Sequence, residues 1–586
     1  MKQKFALVLI VAACACARIG SPTGGPKDEE PPKVLASVPE NFSTRFTGDR
    51  IVITFDEYFE LKNIRQKLVV SPPMKSRPEF KIKGKTLEIK LIDTLQPDRT
   101  YALNFGDALV DLNEANPLDN FQFVFSTGDT IDSLQMAGQV VQAFDGKSAA
   151  EVVVMLYPPG SDSLPMKELP LYISKTDKEG KFTLLNLAEG DYLLFALKDG
   201  NNNFLFDQPT EAIAFLDTLV RPRVELEEFA PRDSTDTLPA LPRQRFLPDD
   251  LLLRLFTEER PTRYLAGAER PGRDQVRLLI NQGIDSIRLD FKDIEPSDLP
   301  LIPEWYGDPD TLDFWITDTL FGNRDTLRAT VTFPSFDSLE RPVMKTDTLR
   351  LTYRPPARST AAAKKSFVLS SPLERSRSVS YDQPVILNTT LPFARIDTSR
   401  ITLSIGQDSV ARAVDFMLAA DTIKGLAFNN LSSIWTHPRQ VRLAASLLSD
   451  SSYTLLALPG AFTSYRGLES DSLRMNFTVK GPDQFASLIF TITGLEGAGV
   501  VEVIGAGGRV VASQVVEGAA TVTFRMLNPG KYTARIILDS NRNGRWDTGR
   551  YLKGLQPEKV LIFSKDINLK ANWEVEEPWE IGSERK

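Results

Sequence analysis

Cysteine is almost missing from this chain: there are two, Cys14 and Cys16, both close to its start. No disulfide framework and no cysteine metal site can therefore lie within the folded modules. Histidine is scarcer still: His437 stands alone, followed by Pro438, in a stretch read as an exposed loop. Ser-His-Asp, Cys-His and His-Glu-x-x-His constellations need more than one histidine and two terminal cysteines. No later run approaches eighteen consecutive apolar residues, which argues against a membrane-spanning helix. A basic excess is also lacking: 69 Lys and Arg stand against 77 Asp and Glu, a net charge of −8. An acidic surface repels phosphate backbones, so nucleic acid is not an expected partner. No glycine-rich loop follows a strand and opens a helix, so no nucleotide site is expected. Carboxylates are plentiful, but Asp56 and Glu57 are neighbours that face opposite sides of a strand, and Glu57 and Glu60 sit at a strand end. Without an assembled acid–base constellation the chain reads as no enzyme, with no catalytic residues and no required cofactor.

What is present points to export and to β-structure. The 586 residues are 42% hydrophobic, enough for about four cores. Lys2 and Lys4 precede a short apolar run from Phe5 to Ile10, and Val11-Ala12-Ala13-Cys14 follows. This reads as a lipoprotein signal peptide over residues 1–13, with Cys14 resembling the lipidated cysteine of a bacterial lipobox. An ordinary signal peptide cut near Ala17 is the competing reading. Acyl chains on Cys14 would hold the protein at a membrane. Residues 14–32, rich in proline, glycine and charge, read as a flexible tether.

The remainder alternates short β-branched or aromatic runs with turn residues, the pattern of all-β sandwiches. Two blocks recur. Asp98, Tyr101, Asp119 and Phe125 map onto Asp450, Tyr453, Asp471 and Phe477 at an offset of 352 (453 − 101), with Phe55-Asp56 set against Tyr381-Asp382. Leu187, Gly190 and Tyr192 map onto Leu527, Gly530 and Tyr532 at an offset of 340 (532 − 192). The expected order is one sandwich over 33–128, a second over 134–225, a linker over 226–245 and a β-domain of unnamed type over 246–356. A linker over 357–366, a repeat of the first sandwich over 367–481, a repeat of the second over 484–571 and a frayed tail over 572–586 complete it. Modules strung in this way predict an elongated multidomain array.

Pro22-Thr-Gly24-Gly25-Pro26-Lys27-Asp28, Phe55-Asp56-Glu57-Tyr58, Asn113-Glu114-Ala115-Asn116-Pro117 and Phe125-Ser126-Thr127-Gly128 together resemble the opening of Ig-like-domain lipoproteins of Bacteroidota. Their first domain is similar to the bacterial Ig-like domains of S-layer proteins. The resemblance implies a cell-envelope location and carries no agreed activity. Asp177-Lys-Glu-Gly180-Lys-Phe182, followed by Gly190-Asp-Tyr192, resembles the carboxypeptidase-regulatory or transthyretin-like sandwich, a small module that accompanies other domains.

The duplicated oxygen-rich loops are the candidate metal sites. Asp199, Asn201, Asn203 and Asp207 in one copy, and Asp539, Asn541, Asn543 and Asp547 in the other, occupy positions 1, 3, 5 and 9 of a calcium loop. Alternating oxygens can converge on a hard cation such as Ca2+, and Gly544 supplies a sharp turn in the second copy. Against this, position 6 of the first copy is Phe204, and position 12 is Thr210 or Arg550 rather than a bidentate glutamate. A metal-free loop held by Asx-turns explains the same residues. Asp-(Ser/Thr)-aliphatic triplets, among them Asp236-Thr237-Leu, Asp310-Thr311-Leu, Asp318-Thr319-Leu and Asp325-Thr326-Leu, resemble the O-glycosylation sequon of Bacteroidota and single out Thr237 in the linker. They also suit turn–strand junctions.

The sequence therefore predicts a non-enzymatic, lipid-anchored scaffold of the outer membrane that binds an envelope protein through loops or strand edges. Residues 15–19 carry no acidic cluster after Cys14, which favours the periplasmic face over the cell surface. The alternative is a glycan-binding accessory lipoprotein in which Trp305, Tyr306 or Trp315 stacks on sugar rings; core packing of these aromatics is the competing reading.

Overall fold

The computed structural model describes residues 29–227, 243–259, 262–284, 286–292, 294, 301–305, 311–337, 340–354, 367–406, 411–423, 427–428, 431–432 and 435–582. The signal segment, Cys14, Thr237, Tyr306 and the linker 357–366 lie outside the described residues. The chain is all-β. Among the described residues the only α-helices are four single turns of four residues each. Two compact units form, one of Met1–Glu258 with Trp546–Leu561, the other of Glu259–Arg545 with Ile562–Lys586.

In the first unit, alternation along Arg50–Phe55 places Ile51, Ile53 and Phe55 fully inside. That strand lies between Val34–Val38 and Thr86–Lys90, with Glu79–Lys83 at the far edge. A second sheet of Val69–Ser71, Thr100–Asn104 and Gln122–Ser126 closes the sandwich. Tyr101 stacks on Phe125 at 5.4 Å and its hydroxyl accepts the Gln96 N–H at 2.9 Å. The fourth block, in the other unit, repeats this corner: Tyr453 stacks on Phe477 at 5.6 Å and accepts the Leu448 N–H at 2.7 Å. Asp98 and Asp450, three residues before each tyrosine, share a positive φ. The pairing of Phe55-Asp56 with Tyr381-Asp382 does not hold. The sheet order Leu369–Ser370, Val385–Thr389, Trp435–Ala445, Phe416–Ile423 makes Val385–Thr389 the counterpart of Arg50–Phe55. Tyr381 follows a short strand, Ser378–Ser380, that pairs in the opposite sheet, and it is exposed.

The second block needs two corrections. Its sheet takes in Leu251–Thr257, which runs parallel to Leu134–Gln142 and antiparallel to Ala212–Phe215. The module therefore reaches past the expected boundary at 245. Within the expected linker, Arg243–Leu247 pairs antiparallel with Arg223–Glu227. The repeat ends in the same way: Glu574–Glu580, expected to be frayed, is a strand parallel to Ala486–Thr493. Trp579 is buried between Phe490 and Phe563, 5.3 and 5.1 Å away. Both errors share one cause: the closing strand pairs with the first strand of its module, a non-local contact that no local pattern announces. The central block builds two sheets around Val276, Leu278, Leu289, Phe314, Val331 and Phe333.

Asp111 fixes the loop that carries the Asn113–Pro117 motif. Its carboxylate accepts the N–H groups of residues 113, 114, 115 and 116 at 2.6–3.0 Å. Burial alone would raise its pKa, but these four donors hold it below the ordinary value. A depressed folded pKa contributes stability above the unfolded value near 3.8, lost as pH falls through the folded value. Asp111→Asn is therefore expected to lower the melting temperature at neutral pH and to flatten its decline below pH ~4; an unchanged acid limb would refute this.

Candidate functional site

Within the first unit a groove of about 970 Å³ opens between the Ig-like sandwich and the second module, at the upper end of ordinary ligand-pocket volumes. Pro72, Pro73 and Pro78 flank its elements. Proline cannot complete a β-ladder, so the local pairing is short: Val69–Ser71 has three residues, and Glu79–Lys83 bonds only to Thr86–Lys90 among the described strands. Side chains that would otherwise be covered remain half-exposed. Leu68, Val70, Met74 and Phe80 pack on the Ig-like core, Val69 and Phe204 on the core of the second module. The modules touch where the Ile173 N–H donates to Ser71 Oγ at 3.1 Å and Lys175 Nζ donates to the Gln66 carbonyl at 3.2 Å.

The rim is cationic. Arg65, Arg77, Lys81, Lys90 and Lys175 line the groove against Glu79 and Glu88, five charges against two on a chain of net −8. Glu88 is already engaged: the hydrogen bond from Lys83, against the opposing effect of burial, and the charges of Arg50, Lys83 and Lys81 hold its carboxyl below the usual value. The only hydroxyl among the lining residues, Ser174, donates to the Thr183 carbonyl. The lining residues offer apolar surface and charge but no nucleophile–base pair. Its signal in the sequence was the proline cluster at 72–78, which alone does not say which edges are left open.

The duplicated loops are closed internally. Asp199 accepts the N–H groups of Asn201, Asn202, Asn203 and Phe204. Asn201 and Asn203 donate to the two carboxylate oxygens of Asp207 at 3.1 and 2.7 Å. In the second copy, Asp539 is buried and accepts the N–H groups of Asn543 and Gly544, while Asn541 and Asn543 cap the next turns. Two glutamates that the sequence reading passed over belong to these loops: Glu211 accepts the Asp207 N–H, and Glu558 accepts the Asp547 N–H. Both lie past position 12, which hid them. Among the described residues, no group of three or more His, Cys, Asp or Glu side chains gathers as a metal ion would need.

Other candidates fall elsewhere. Trp315 is buried, its indole N–H donating to Glu304 at 2.8 Å, and Trp305 is half-buried against the central core. Trp315 therefore offers no stacking face, while Trp305 keeps part of its surface exposed. His437 lies half-buried in the strand Trp435–Ala445 rather than in an exposed loop, its Nδ1 3.7 Å from Glu304. Asp56 accepts the Lys33 N–H and Glu60 pairs with Lys62. Thr311 and Thr326 open strands, whereas Asp318 caps a helical turn beginning at Thr319.

No curated protein matches the chain. Among solved structures it is similar to the major pilin subunit BcpA of Bacillus cereus, at 11% identity over 77% of this chain and 98% of that one, with a TM-score of 0.13. It is also similar to the S-layer protein SbsC, at 11% identity, 92% and 67% coverage and a TM-score of 0.13. A third is the Bacteroides ovatus protein SGBP-B in complex with a mixed-linkage heptasaccharide, at 9% identity, 75% and 94% coverage and a TM-score of 0.17. At such TM-scores these likenesses carry no argument about arrangement or activity. The one assignment of family concerns the sandwich that forms one wall of the groove: residues 28–127 match the bacterial Ig-like domain.

Proposed function

We propose that the chain is a non-enzymatic interaction scaffold of the cell envelope, anchored through lipid on Cys14 to the periplasmic face of the outer membrane. In this reading the groove of the first unit holds an extended, acidic segment of an envelope protein. The observation that carries it is the groove itself: an apolar floor beside a free strand edge, under a rim with three more positive than negative groups. A strand added along Glu79–Lys83 would gain main-chain hydrogen bonds, set alternate apolar side chains on Phe80 and Met74, and meet Arg77 and Lys81 with its carboxylates. Burial of Trp315 takes one of its three aromatics from the sugar-binding alternative. Calcium in the duplicated loops and a glycan on Thr237 are compatible additions that this role does not require.

The test is cross-linking in cells followed by membrane fractionation. The unaltered chain is expected in the membrane fraction with a reproducible partner, and Cys14→Ser in the soluble fraction. The exposed double variant Arg77→Glu/Lys81→Glu should remain membrane-bound and lose about tenfold in partner capture, a cost of about 1.4 kcal/mol. Capture that ignores the rim charges sinks the groove assignment; a Cys14→Ser chain that stays in membranes sinks the anchor.

A further inference from the structure

We propose that Phe204 is the anchor of the groove in the first unit, and that the acidic segment bound there sets a large apolar side chain against its ring. This rests on the reading of the groove as a site for an extended acidic segment, and it names the residue that selects among such segments. Phe204 lies on the wall formed by the second module, together with Val153 and Ile173. It is half-buried: it packs on that module's core and still lines the groove. The rings of Phe195, Phe206 and Phe215 in that core each meet the Tyr551 ring, and Phe204 enters none of these pairs.

The backbone under this ring is strained. Phe204 has a φ of 60°, in the left-handed region where the Cβ of an L-residue crowds the following carbonyl. Bulky residues are rare there, and glycine is the ordinary occupant. The internal repeat has that glycine: Gly544 holds the same position at a φ of 76°. The two loops share their closing bonds. Asp199 accepts the Phe204 N–H at 2.9 Å, and Asp539 accepts the Gly544 N–H at 2.7 Å. Asn201 and Asn541 accept the N–H groups of Asn203 and Asn543, both at 3.1 Å. Asn203 and Asn543 then accept those of Leu205 and Arg545 at 2.8 and 2.9 Å. The loop therefore closes with glycine as well as with phenylalanine. Nor does crowding dictate the glycine, since a Cβ on Gly544 would come no closer than 3.9 Å to Val515. The strained ring stands in the copy whose loop lines the groove, and strain that the local fold does not need is a mark of a functional contact.

The surroundings of the ring set the chemistry of its occupant. The Ig-like side contributes Leu68, Val70, Met74 and Phe80, and the second module contributes Phe204, Val153 and Ile173. A side chain entering between the modules thus meets apolar surface from both. The rim carries five cations against two carboxylates, and one of these, Glu88, is already met by Arg50 and Lys83. In an extended segment successive side chains point to opposite sides. Apolar residues turned to the floor can therefore alternate with carboxylates turned to the rim. A large apolar residue covers the Phe204 ring, whereas a small one leaves it in water.

The experiment is a fluorescence-anisotropy titration of the full chain carrying Cys14→Ser and Cys16→Ser. Three labelled peptides serve as probes: Glu-Val-Glu-Phe-Glu-Val-Glu, the same peptide with alanine at its centre, and Lys-Val-Lys-Phe-Lys-Val-Lys. The acidic phenylalanine peptide is expected to bind about tenfold tighter than either of the others. Phe204→Gly gives the first loop the residue of the second, and should abolish the preference for phenylalanine over alanine with an unchanged melting curve. Phe204→Asn, whose side chain tolerates this φ, is the second variant and should do the same. Arg77→Glu/Lys81→Glu should weaken both acidic peptides alike and leave their ratio unchanged. Equal binding of the two acidic peptides by the parent chain, or a preference that survives both variants at position 204, overturns the role of Phe204 and leaves the groove reading intact. No binding of either acidic peptide below about 1 mM, or equal binding of the lysine peptide, overturns the groove reading and this inference with it.

Discussion

Tyr551→Ala is expected to free the segment Trp546–Leu561 from the first unit and to raise tryptic cleavage at Arg550 and Lys553 more than a hundredfold. The ring is buried among Phe195, Phe206 and Phe215, with centroids 5.4, 6.5 and 5.1 Å away. Its hydroxyl donates to the Asp162 carbonyl at 2.5 Å, and its backbone N–H donates to Glu258 at 2.6 Å. Removing a buried aromatic side chain costs about 3–5 kcal/mol. The remaining contacts are modest: Thr548 Oγ1 to the Thr257 carbonyl, Gln556 to Phe215 and Asp217, and Trp546 beside Phe144. When opening is fast relative to cleavage, proteolysis follows the open population, and 3 kcal/mol is already more than a hundredfold. Tyr551→Phe keeps the packing and loses one hydrogen bond, so its effect should be about 1 kcal/mol, near fivefold. Gly549 gives an independent check: a Cβ there would come within 2.6 Å of Phe256 and 2.8 Å of the Leu555 carbonyl, so Gly549→Ala should loosen the same segment. Equal cleavage in all three variants would show that Tyr551 does not hold it.

How much of this was legible in the sequence depends on the range of the contact. The all-β class and the duplications rest on short-range patterns: Tyr101 and Tyr453 each reach back five residues, and Tyr192 and Tyr532 each donate to a carbonyl four residues back. Such motifs survive in sequence because turn and ring are fixed together. The oxygen-rich loops were also legible as loops, for Asp199 and Asp539 act on the next few N–H groups. What was hidden is non-local. Leu251–Thr257 and Glu574–Glu580 join their sheets through partners about 80 to 120 residues earlier. The groove exists because two strand edges from different modules meet, and the burial of Trp315 depends on Glu304 and on Arg439, 135 residues from Glu304. Composition marks Glu and Arg as residues for a surface; only their pairing puts them inside.

That pairing leads to the other large effect, in the second unit. Arg439→Met is expected to destabilise this unit by about 3–5 kcal/mol, because it leaves a buried carboxylate with only the Trp315 N–H and, 3.7 Å away, His437 Nδ1 beside it. Glu304 is fully buried and receives both Arg439 Nε, at 2.8 Å to each oxygen, and the Trp315 indole N–H. The guanidinium also lies over the Trp315 ring, 5.4 Å from its centroid. A second buried carboxylate in the same unit, Asp274, is met by Arg466 and by the Tyr465 hydroxyl, both at 2.7 Å. Burial, and then Asp274, push the Tyr465 phenol far above its usual pKa, so it remains a donor across the stable range. The penalty of Arg439→Met belongs to the orphaned charge rather than to the lost attraction, and this can be separated. Glu304→Gln/Arg439→Met removes both charges, keeps an oxygen for the Trp315 N–H, and should recover most of the loss, since apolar or neutral replacements of buried pairs are often near neutral. Denaturant unfolding of the four chains in this cycle gives the coupling directly. A double variant as unstable as Arg439→Met would mean that the arginine acts through its packing on Trp315, and that the carboxylate is not the reason it is there.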